Sequence, residues 1–292
     1  MWNSILGYDF FVVAFGTLIL AASSAIVGSL SVYKGQSLMG DAVGHSTYPG
    51  VVLAFILMKT RNPFVLMIGA VIIGAIAYFL IQVIEKNSSI GMDASLAIVL
   101  SGFFGLGMVL KSYVQGNPHF ADASQAGLKN YIFGSAAFMM KIDVYVILGF
   151  SIVTLMLFFI FKRALVITIF DKNYAKSVGI PTGAVEFVLL LMTIIFIALG
   201  LKSVGAILIA SFLVFPCIFA NQCSKNLSTV LFLSSIMAGV SAFIGTFIST
   251  QYRGISTGPM IILCMATFVF IAILFGKYSF VRQNRMIKRK KV

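Results

Sequence analysis

Long apolar runs, separated by short polar connections, occupy most of this chain. A helix needs roughly 20 mostly apolar residues to cross the hydrocarbon core of a bilayer, and a barrel strand needs about 9–11. Because lipid offers the backbone no hydrogen-bond partner, only these two structures can span it. The runs are too long for strands and fall near residues 8–32, 38–58, 64–84, 94–114, 143–161, 186–200, 204–220, 227–250 and 258–276. The pattern predicts an all-α, polytopic integral membrane protein with eight or nine transmembrane helices.

The number of spans stays open because two segments are ambiguous. The run 186–200 is short for a crossing, and the segment 131–140 (YIFGSAAFMM) could form a re-entrant element that returns to the side it came from. No separate soluble domain is evident, so residues 1–276 are expected to form one transmembrane domain. Residues 277–292 are then expected to form a basic cytosolic tail.

Small residues recur at four-residue spacing in several of the runs. Such a stripe lets two helix backbones approach closely, which is how helices associate in a membrane without a hydrophobic driving force. These stripes predict helix packing and carry no functional information by themselves: Ala21, Ala25 and Ser29; Ala206 and Ala210; Ser241, Gly245 and Ser249.

The composition supports a membrane protein. Of the 292 residues, 60% are hydrophobic and 10% are charged, whereas roughly a quarter of the residues in soluble domains are charged. A water-soluble globule is therefore excluded, and so are disordered and collagen-like chains.

The chain is strongly basic, with a net charge of +13, and the cations cluster at its C-terminal end. Seven of the 21 Lys and Arg residues lie within 277–292, where no acid accompanies them. Cations concentrate on the cytosolic side of membrane proteins and are attracted to anionic lipid headgroups. The tail is therefore predicted to lie against membrane lipid in the cytosol, with the N-terminus outside if nine helices cross. No stacking aromatics interleave with these cations, so a nucleic-acid partner is not expected.

Four of the eight Asp and Glu residues stand where apolar runs begin: Asp9, Asp93, Asp143 and Glu186. A carboxylate there accepts hydrogen bonds from the free N–H groups of the first helical turn and interacts favourably with the helix dipole. These four are predicted to cap helices. Asp41 differs, because a histidine follows it four residues later in a stretch that leads directly into an apolar run.

On a helix, Asp41 and His45 project from one face, one turn apart. A carboxylate oxygen and an imidazole nitrogen so placed can both reach one divalent cation, and they suit Mn, Fe or Zn better than Ca or Mg. Pro49 has no N–H, so the carbonyl of residue 45 lacks its helical partner and is free to serve an ion or a water. Ionisable side chains in membrane segments are costly and usually line a transport pathway. The alternative, in which Asp41 caps the helix and His45 hydrogen-bonds to it, stays open.

No motif for an enzyme or a nucleotide site accompanies this pair. The chain contains no HExxH, CxxC or Gly-x-Ser-x-Gly motif and no GxxxxGK[ST] phosphate loop. We therefore expect a transport subunit rather than an enzyme, with no permanently bound cofactor. ATP-driven transport would need an ATPase on a separate polypeptide. The other histidine, His119, lies in a polar connection and is predicted to be solvated.

The stretch SLMGDAVGHSTYPGVVLAF resembles the signature of the metal-ion (manganese, zinc or iron) ABC transporter permease family, commonly Ser-Leu-x-Gly-Asp-Ala-x-Ser-His-Ala-x-x-Pro-Gly. The resemblance continues in order through GMDASLAIVLSGFFGLGMVL, LKNYIFGSA, FDKNYAKSVGIP and LKSVGAILIASFLVFPCIFA, and covers about residues 10–276. The departures are modest: Gly44 replaces the usual Ser, Ser46-Thr47-Tyr48 replaces an apolar triplet, and Cys217-Ile218-Phe219 replaces a small Ala-Ala-Thr.

The resemblance implies a permease of the bacterial cytoplasmic (inner) membrane, with a fold related to that of vitamin B12 and siderophore importers. Its cargo would be Mn²⁺, Zn²⁺ or Fe²⁺, with Mn²⁺ the first expectation, and Asp41 and His45 would form the metal site of the pore. Its partners would be a cytosolic ATPase, a second permease copy or paralogue, and an extracytoplasmic metal-binding protein. By similarity to the related permeases, the ATPase would dock near Ala220, Asn221, Gln222, Cys223, Ser224 and Lys225.

Three other functions remain compatible with the residues. A permease for a chelated metal or a vitamin would carry a larger substrate and would not need an Asp–His pair in its path. An ion-coupled secondary metal transporter would need no partner subunits, and discontinuous helices in paired halves would favour it. A structural membrane protein would have no pathway at all.

Overall fold

A computed structural model describes residues 8–60, 62–117, 139–252 and 254–278 of the chain. These residues form eleven helices, and none of them lies in a strand. The helices are α1 (Tyr8–Tyr33), α2 (Met39–Ser46), α3 (Tyr48–Met58), α4 (Pro63–Asn87), α5 (Met92–Gly116), α6 (Lys141–Phe170), α7 (Lys172–Ser177), α8 (Thr182–Ser203), α9 (Ala206–Cys223), α10 (Leu227–Gln251) and α11 (Thr257–Phe275).

Eight of these helices are long and apolar enough to cross a membrane: α1, α4, α5, α6, α8, α9, α10 and α11. The all-α class predicted from the apolar runs is confirmed. The run 186–200 belongs to a longer helix, because α8 begins at Thr182 and ends at Ser203. Of the segment 131–140, the first eight residues lie outside the described part of the chain, and so do His119 and residues 279–292 of the tail.

The helix α6 is longer than a membrane crossing requires. Its 30 residues extend about 45 Å at 1.5 Å per residue, against a hydrocarbon core of about 30 Å. Part of α6 must therefore project from the core or tilt within it. Lys162 and Arg163 lie in the last third of the helix, and this basic end is the part that gains most from reaching the headgroup region.

The run 38–58 is not the single crossing that its length predicted, because it is divided into α2 and α3 at Thr47. Pro49 occupies the first turn of α3, where its missing N–H removes the hydrogen bond that would join the two turns. The Thr47 hydroxyl donates to the carbonyl of Gly44 at 2.6 Å, while the Thr47 backbone keeps helical angles, with φ −74° and ψ −18°. The segment is therefore a helix interrupted at one residue.

The chain separates into two compact units. Of the described residues, those within 1–37, 136–189 and 211–292 form the first unit, and those within 38–135 and 190–210 form the second. Two of the four boundaries fall within α8 and α9, and both units are built from segments that are distant in sequence.

In the first unit, α1 packs against α6 and α10 through small and hydroxylated residues. The Ala21 and Ala25 side chains are buried, as the small-residue stripe predicted. Three hydroxyl pairs join α1 to its neighbours, with oxygen–oxygen distances of 3.3 Å for Thr17–Thr246, 3.0 Å for Ser23–Ser151 and 3.2 Å for Ser29–Ser234. Close backbone approach and polar contacts between helices are the interactions that hold membrane bundles together.

In the second unit, α3 lies at the centre of a buried cluster. Its members are Tyr48, Val51, Val52, Phe55, Leu66, Ala70, Val114, Leu201 and Ala206. The helices α3 and α4 approach closely at Gly50 and Gly69, where a Cβ added to either glycine would overlap the carbonyl oxygen of the other. This contact fixes the position of α3, and with it the end of α2 that bears the candidate site.

Candidate metal site

The helix α2 brings the two predicted ligands together. Asp41 is its third residue and His45 its seventh, so the two side chains leave the same face one turn apart. The Nε2 atom of His45 lies 3.4 Å from Oδ1 of Asp41. The spacing predicted from the sequence is therefore present, with both side chains turned toward each other.

The polar contacts of Asp41 do not match those of a helix cap. In the described part of the chain, its carboxylate has His45 as its polar neighbour, and the start of α2 has no side-chain cap hydrogen bond. The 3.4 Å separation also exceeds the 2.7–3.2 Å usual for an N–H···O hydrogen bond. The interaction with the helix dipole is retained, because Asp41 lies in the first turn of α2.

The Asp–His pair is the accessible polar edge of an otherwise buried helix. The Asp41 side chain is 47% exposed and the His45 side chain 20% exposed, whereas the other residues of α2 are buried. The His45 ring meets Phe104 of α5 edge to face, with 5.4 Å between ring centroids. This aromatic contact restrains the imidazole while leaving its Nε2 atom beside the carboxylate.

Two further polar atoms lie close to this pair in the sequence and have no hydrogen-bond partner among the described residues. They are Oγ of Ser46 and the hydroxyl oxygen of Tyr48, and both are buried. Tyr48 follows Asp41 by seven residues, which places it on the same helical face as the pair. The prediction of the pair uses only the four-residue spacing, but the spacing of four and then three residues is already visible in the sequence.

The pair has no third protein ligand of the common kinds in the structure as described. No group of three or more His, Cys, Asp or Glu side chains that could hold a metal ion occurs among these residues. Asp122 and His119 lie outside the described residues. As far as the described residues show, the arrangement can supply one oxygen and one nitrogen to a cation, which leaves coordination positions for water.

Residues 220–225, the predicted ATPase-docking segment, lie at the end of α9 and in the connection to α10. The Tyr33 hydroxyl donates to Oδ1 of Asn221 at 2.6 Å, and Nδ2 of Asn221 lies 3.4 Å from Sγ of Cys217. The backbone N–H of Tyr278 donates to the carbonyl of Gln222 at 2.9 Å. The segment is therefore attached to α1 on one side and to the residues after α11 on the other.

One of the four predicted helix caps is wrong. Glu186 is the fifth residue of α8 rather than a cap, and its carboxylate pairs with Nζ of Lys172 at 2.7 Å and of Lys34 at 3.7 Å. Asp143 does cap α6, since it accepts a hydrogen bond from the Met140 N–H at 3.0 Å. Asp93 lies in the first turn of α5, near the positive end of the helix dipole.

The chain is similar to known transport proteins over most of its length. The model of the ABC 3 transport family matches residues 8–276. The manganese transport system membrane protein MntC of Bacillus subtilis (strain 168) is 37% identical over 256 residues, and the match covers 88% of this chain. The chain spans 58% of the length of that protein. The zinc transport system membrane protein TroC of Treponema pallidum (strain Nichols) is 33% identical over 264 residues, which cover 90% of this chain and 88% of TroC.

A solved structure shares the fold. PsaBC from Streptococcus pneumoniae, in complex with Fab, superposes with a TM-score of 0.82 at 26% sequence identity. The match covers 97% of this chain and 100% of that one. Together with the eight apolar helices, these similarities show that the chain is a multi-pass protein of the bacterial cytoplasmic membrane and belongs to the ABC 3 transport family.

Proposed function

We propose that this chain is the permease subunit of an ATP-driven importer that carries a divalent transition metal ion across the cytoplasmic membrane. Mn²⁺ is the first candidate for the cargo, and Zn²⁺ and Fe²⁺ are the others. The named relatives support the class, since one is described as a manganese transport protein and another as a zinc transport protein. The observation that carries the proposal is the geometry of Asp41 and His45.

The separation of the two side chains fits a shared cation. Two ligand atoms that each lie about 2.1 Å from one cation are about 3.4 Å apart in a tetrahedral site and about 3.0 Å apart in an octahedral one. Nε2 of His45 lies 3.4 Å from Oδ1 of Asp41, so a small adjustment suits either geometry. The same distance is long for a direct hydrogen bond. A cation between the two atoms would use both, and the exposed side of Asp41 would be the side by which it enters.

The pair acts by replacing part of the hydration shell of the cargo. A bare divalent ion is too costly to move through an apolar medium, so each water that it loses must be exchanged for a protein ligand. The Asp41 carboxylate supplies charge and a hard oxygen, and the His45 imidazole supplies a nitrogen of intermediate softness. With two protein ligands the ion stays exchangeable, which a transported ion requires and a permanent cofactor does not.

The partners follow from the same class of transporter. A metal-binding protein delivers the ion outside, a second permease copy or paralogue completes the pathway, and a separate ATPase docks on residues 220–225. The structure of this segment supports the docking proposal: residues 221–224 are half-buried and Lys225 is exposed. The hydrogen bonds to Tyr33 and Tyr278 connect it to two other parts of the first unit, so a force applied by the ATPase would reach α1.

The assignment of Asp41 and His45 is tested by uptake of radioactive Mn²⁺ and Zn²⁺ in cells that express the complete transporter. Asp41→Ala and His45→Ala should each reduce uptake at least about 100-fold, because loss of either ligand leaves the dehydrated ion uncompensated. Asp93→Ala is the matched control, since Asp93 is an exposed carboxylate in the first turn of α5 and should leave uptake unchanged. Near-normal uptake by both site variants, at equal membrane abundance, would refute the proposal.

A further inference from the structure

The Tyr48 hydroxyl is a buried polar group without a hydrogen-bond partner in the part of the chain that the structure describes. Only 2% of Tyr48 is exposed, and its hydroxyl oxygen has no hydrogen bond among the described residues. Buried hydroxyls are almost always bonded, and one that is not calls for a ligand, an ion or a water to account for it. The hydroxyl thus needs a partner that is not part of the described chain.

The position of Tyr48 connects this hydroxyl with the candidate metal site. Residues 41, 45 and 48 follow the spacing of one helical face, and the backbone at the intervening Thr47 stays helical. The His45 and Tyr48 rings both contact Phe104, with centroid distances of 5.4 Å and 6.3 Å. The spacing and the shared contact with Phe104 therefore place the three side chains in one row along the same helical face, beside α5.

Accessibility falls steadily along this row. The Asp41 side chain is 47% exposed, the His45 side chain is 20% exposed, and Tyr48 is buried. An ion that reaches the row from its open end meets the carboxylate first, the imidazole second and the phenol last. The Tyr48 ring also packs against Gly107 of α5, where any added Cβ would press on the ring. This contact holds the phenol in the row.

We propose that the Tyr48 hydroxyl is a further cargo-contacting group of this site and favours Mn²⁺ over Zn²⁺. The inference rests on the proposed function of Asp41 and His45. A phenol oxygen is a hard donor, and oxygen ligands suit Mn²⁺, whereas imidazole-rich sets suit Zn²⁺. Mn²⁺ takes octahedral, oxygen-rich coordination that includes water, whereas Zn²⁺ is usually four-coordinate. The hydroxyl would contact the ion directly or through one water that the ion retains. Either contact would stabilise bound Mn²⁺ more than bound Zn²⁺.

The test compares Tyr48→Phe with Ser46→Ala in the complete transporter, by competitive uptake of Mn²⁺ and Zn²⁺. Tyr48→Phe removes one oxygen and keeps the ring. It should reduce kcat/KM for Mn²⁺ about tenfold, as loss of one good contact to a charged group does, and should change Zn²⁺ uptake less than about twofold. Ser46→Ala also deletes a buried, unbonded hydroxyl, but at a position about a quarter turn or more from the row. It should leave both values unchanged.

Each other result has a definite meaning. Unchanged selectivity in Tyr48→Phe, while Asp41→Ala abolishes uptake, would overturn the role of Tyr48 and leave the proposed function intact. Equal loss of Mn²⁺ and Zn²⁺ uptake would assign Tyr48 a structural role and also overturn the inference. A Tyr48→Phe protein that fails to accumulate or to stay monodisperse in detergent would show that the hydroxyl has a structural partner, with the same consequence. Unaffected uptake in Asp41→Ala and His45→Ala would instead refute the proposed function itself.

Discussion

Polar residues interrupt the apolar helices at two places, the α2–α3 junction and the end of α9. The two places differ in whether their polar groups are hydrogen-bonded. Near the junction, Ser46 and Tyr48 are buried, and their oxygens have no hydrogen-bond partner among the described residues. The Asp41 carboxylate there faces the His45 imidazole. Near the end of α9, Asn221 bonds to Tyr33 and contacts the sulfur of Cys217.

This difference separates a binding site from a structural connection. A buried polar group without a hydrogen-bond partner costs about 1–3 kcal/mol. The Tyr48 hydroxyl is such a group in the described part of the chain, and it lies on the helical face of Asp41 and His45, where a ligand can satisfy it. Ser46 lies off that face. Where the polar groups satisfy one another, the same residue types fix helices in position. In this chain the first arrangement lies in the second unit and the second arrangement in the first unit.

The largest expected effect comes from breaking the support of the α2–α3 junction. Gly50→Val places a side chain against the Gly69 backbone of α4, which cannot move aside as a flexible side chain could. We expect a loss of more than about 3 kcal/mol of folding free energy, at the upper end of overpacking effects. The measurement is the yield and melting temperature of the protein in detergent.

Gly102→Val is the control for this change, because a Cβ at Gly102 of α5 meets no atom within 4 Å. Equal behaviour of the two variants would show that the contact between Gly50 and Gly69 does not hold α3 in place.

A smaller effect on the free energy of unfolding is expected when a buried hydroxyl is removed, and it should depend on whether that hydroxyl is hydrogen-bonded. Ser234 accepts from the Ser29 hydroxyl at 3.2 Å and donates to the Pro216 carbonyl at 3.1 Å. Ser234→Ala should therefore lower the free energy of unfolding by about 1 kcal/mol, the usual net value of a lost hydrogen bond. Ser46→Ala should be neutral or slightly stabilising, since its hydroxyl loses no bond.

Thermal or denaturant unfolding of the two variants in the same detergent measures this difference. If Ser46→Ala is the more damaging of the two, the contrast between a satisfied and an unsatisfied region is wrong.

The smallest effect is expected at the ion pairs of Glu186. Its carboxylate lies between Lys34 and Lys172, but the Lys172 side chain is about half exposed, so solvent screens that pair. Glu186→Gln should cost less than about 1 kcal/mol and should cost less still at high salt. The melting temperature at low and high salt checks this, with the exposed Glu85→Gln as the control. A loss that does not respond to salt would point to packing rather than charge.

The sequence was sufficient for most of the fold because the requirement that a crossing helix be long and apolar acts locally. It was also sufficient for the Asp41–His45 contact, since the spacing of two residues on one helix fixes their faces. The Thr47 interruption was harder to predict, because the run 38–58 has the length of one crossing and Pro49 alone does not say whether a helix bends or ends. The partners of Glu186 could not be predicted, since Lys34 is far from it in sequence and meets it only through the fold.

The role of Tyr48 could be predicted from the sequence only in part. Its place on the face of Asp41 and His45 follows from spacing, but the absence of a bonding partner is a property of the packed helices around it. Hydropathy and periodicity do not contain that information, because they describe which residues are buried and not which atoms meet.

The most direct test of the central claim is pulsed EPR of Mn²⁺ bound to the assembled permease–ATPase complex in a His119→Gln background. The chain has two histidines, so His45 is then the one imidazole that this chain can offer. We expect a nitrogen coupling to Mn²⁺ from an imidazole in this background, and we expect it to disappear when His45→Ala is added. A coupling that survives the second substitution, or one absent from the start, would contradict the claim that His45 binds the cargo.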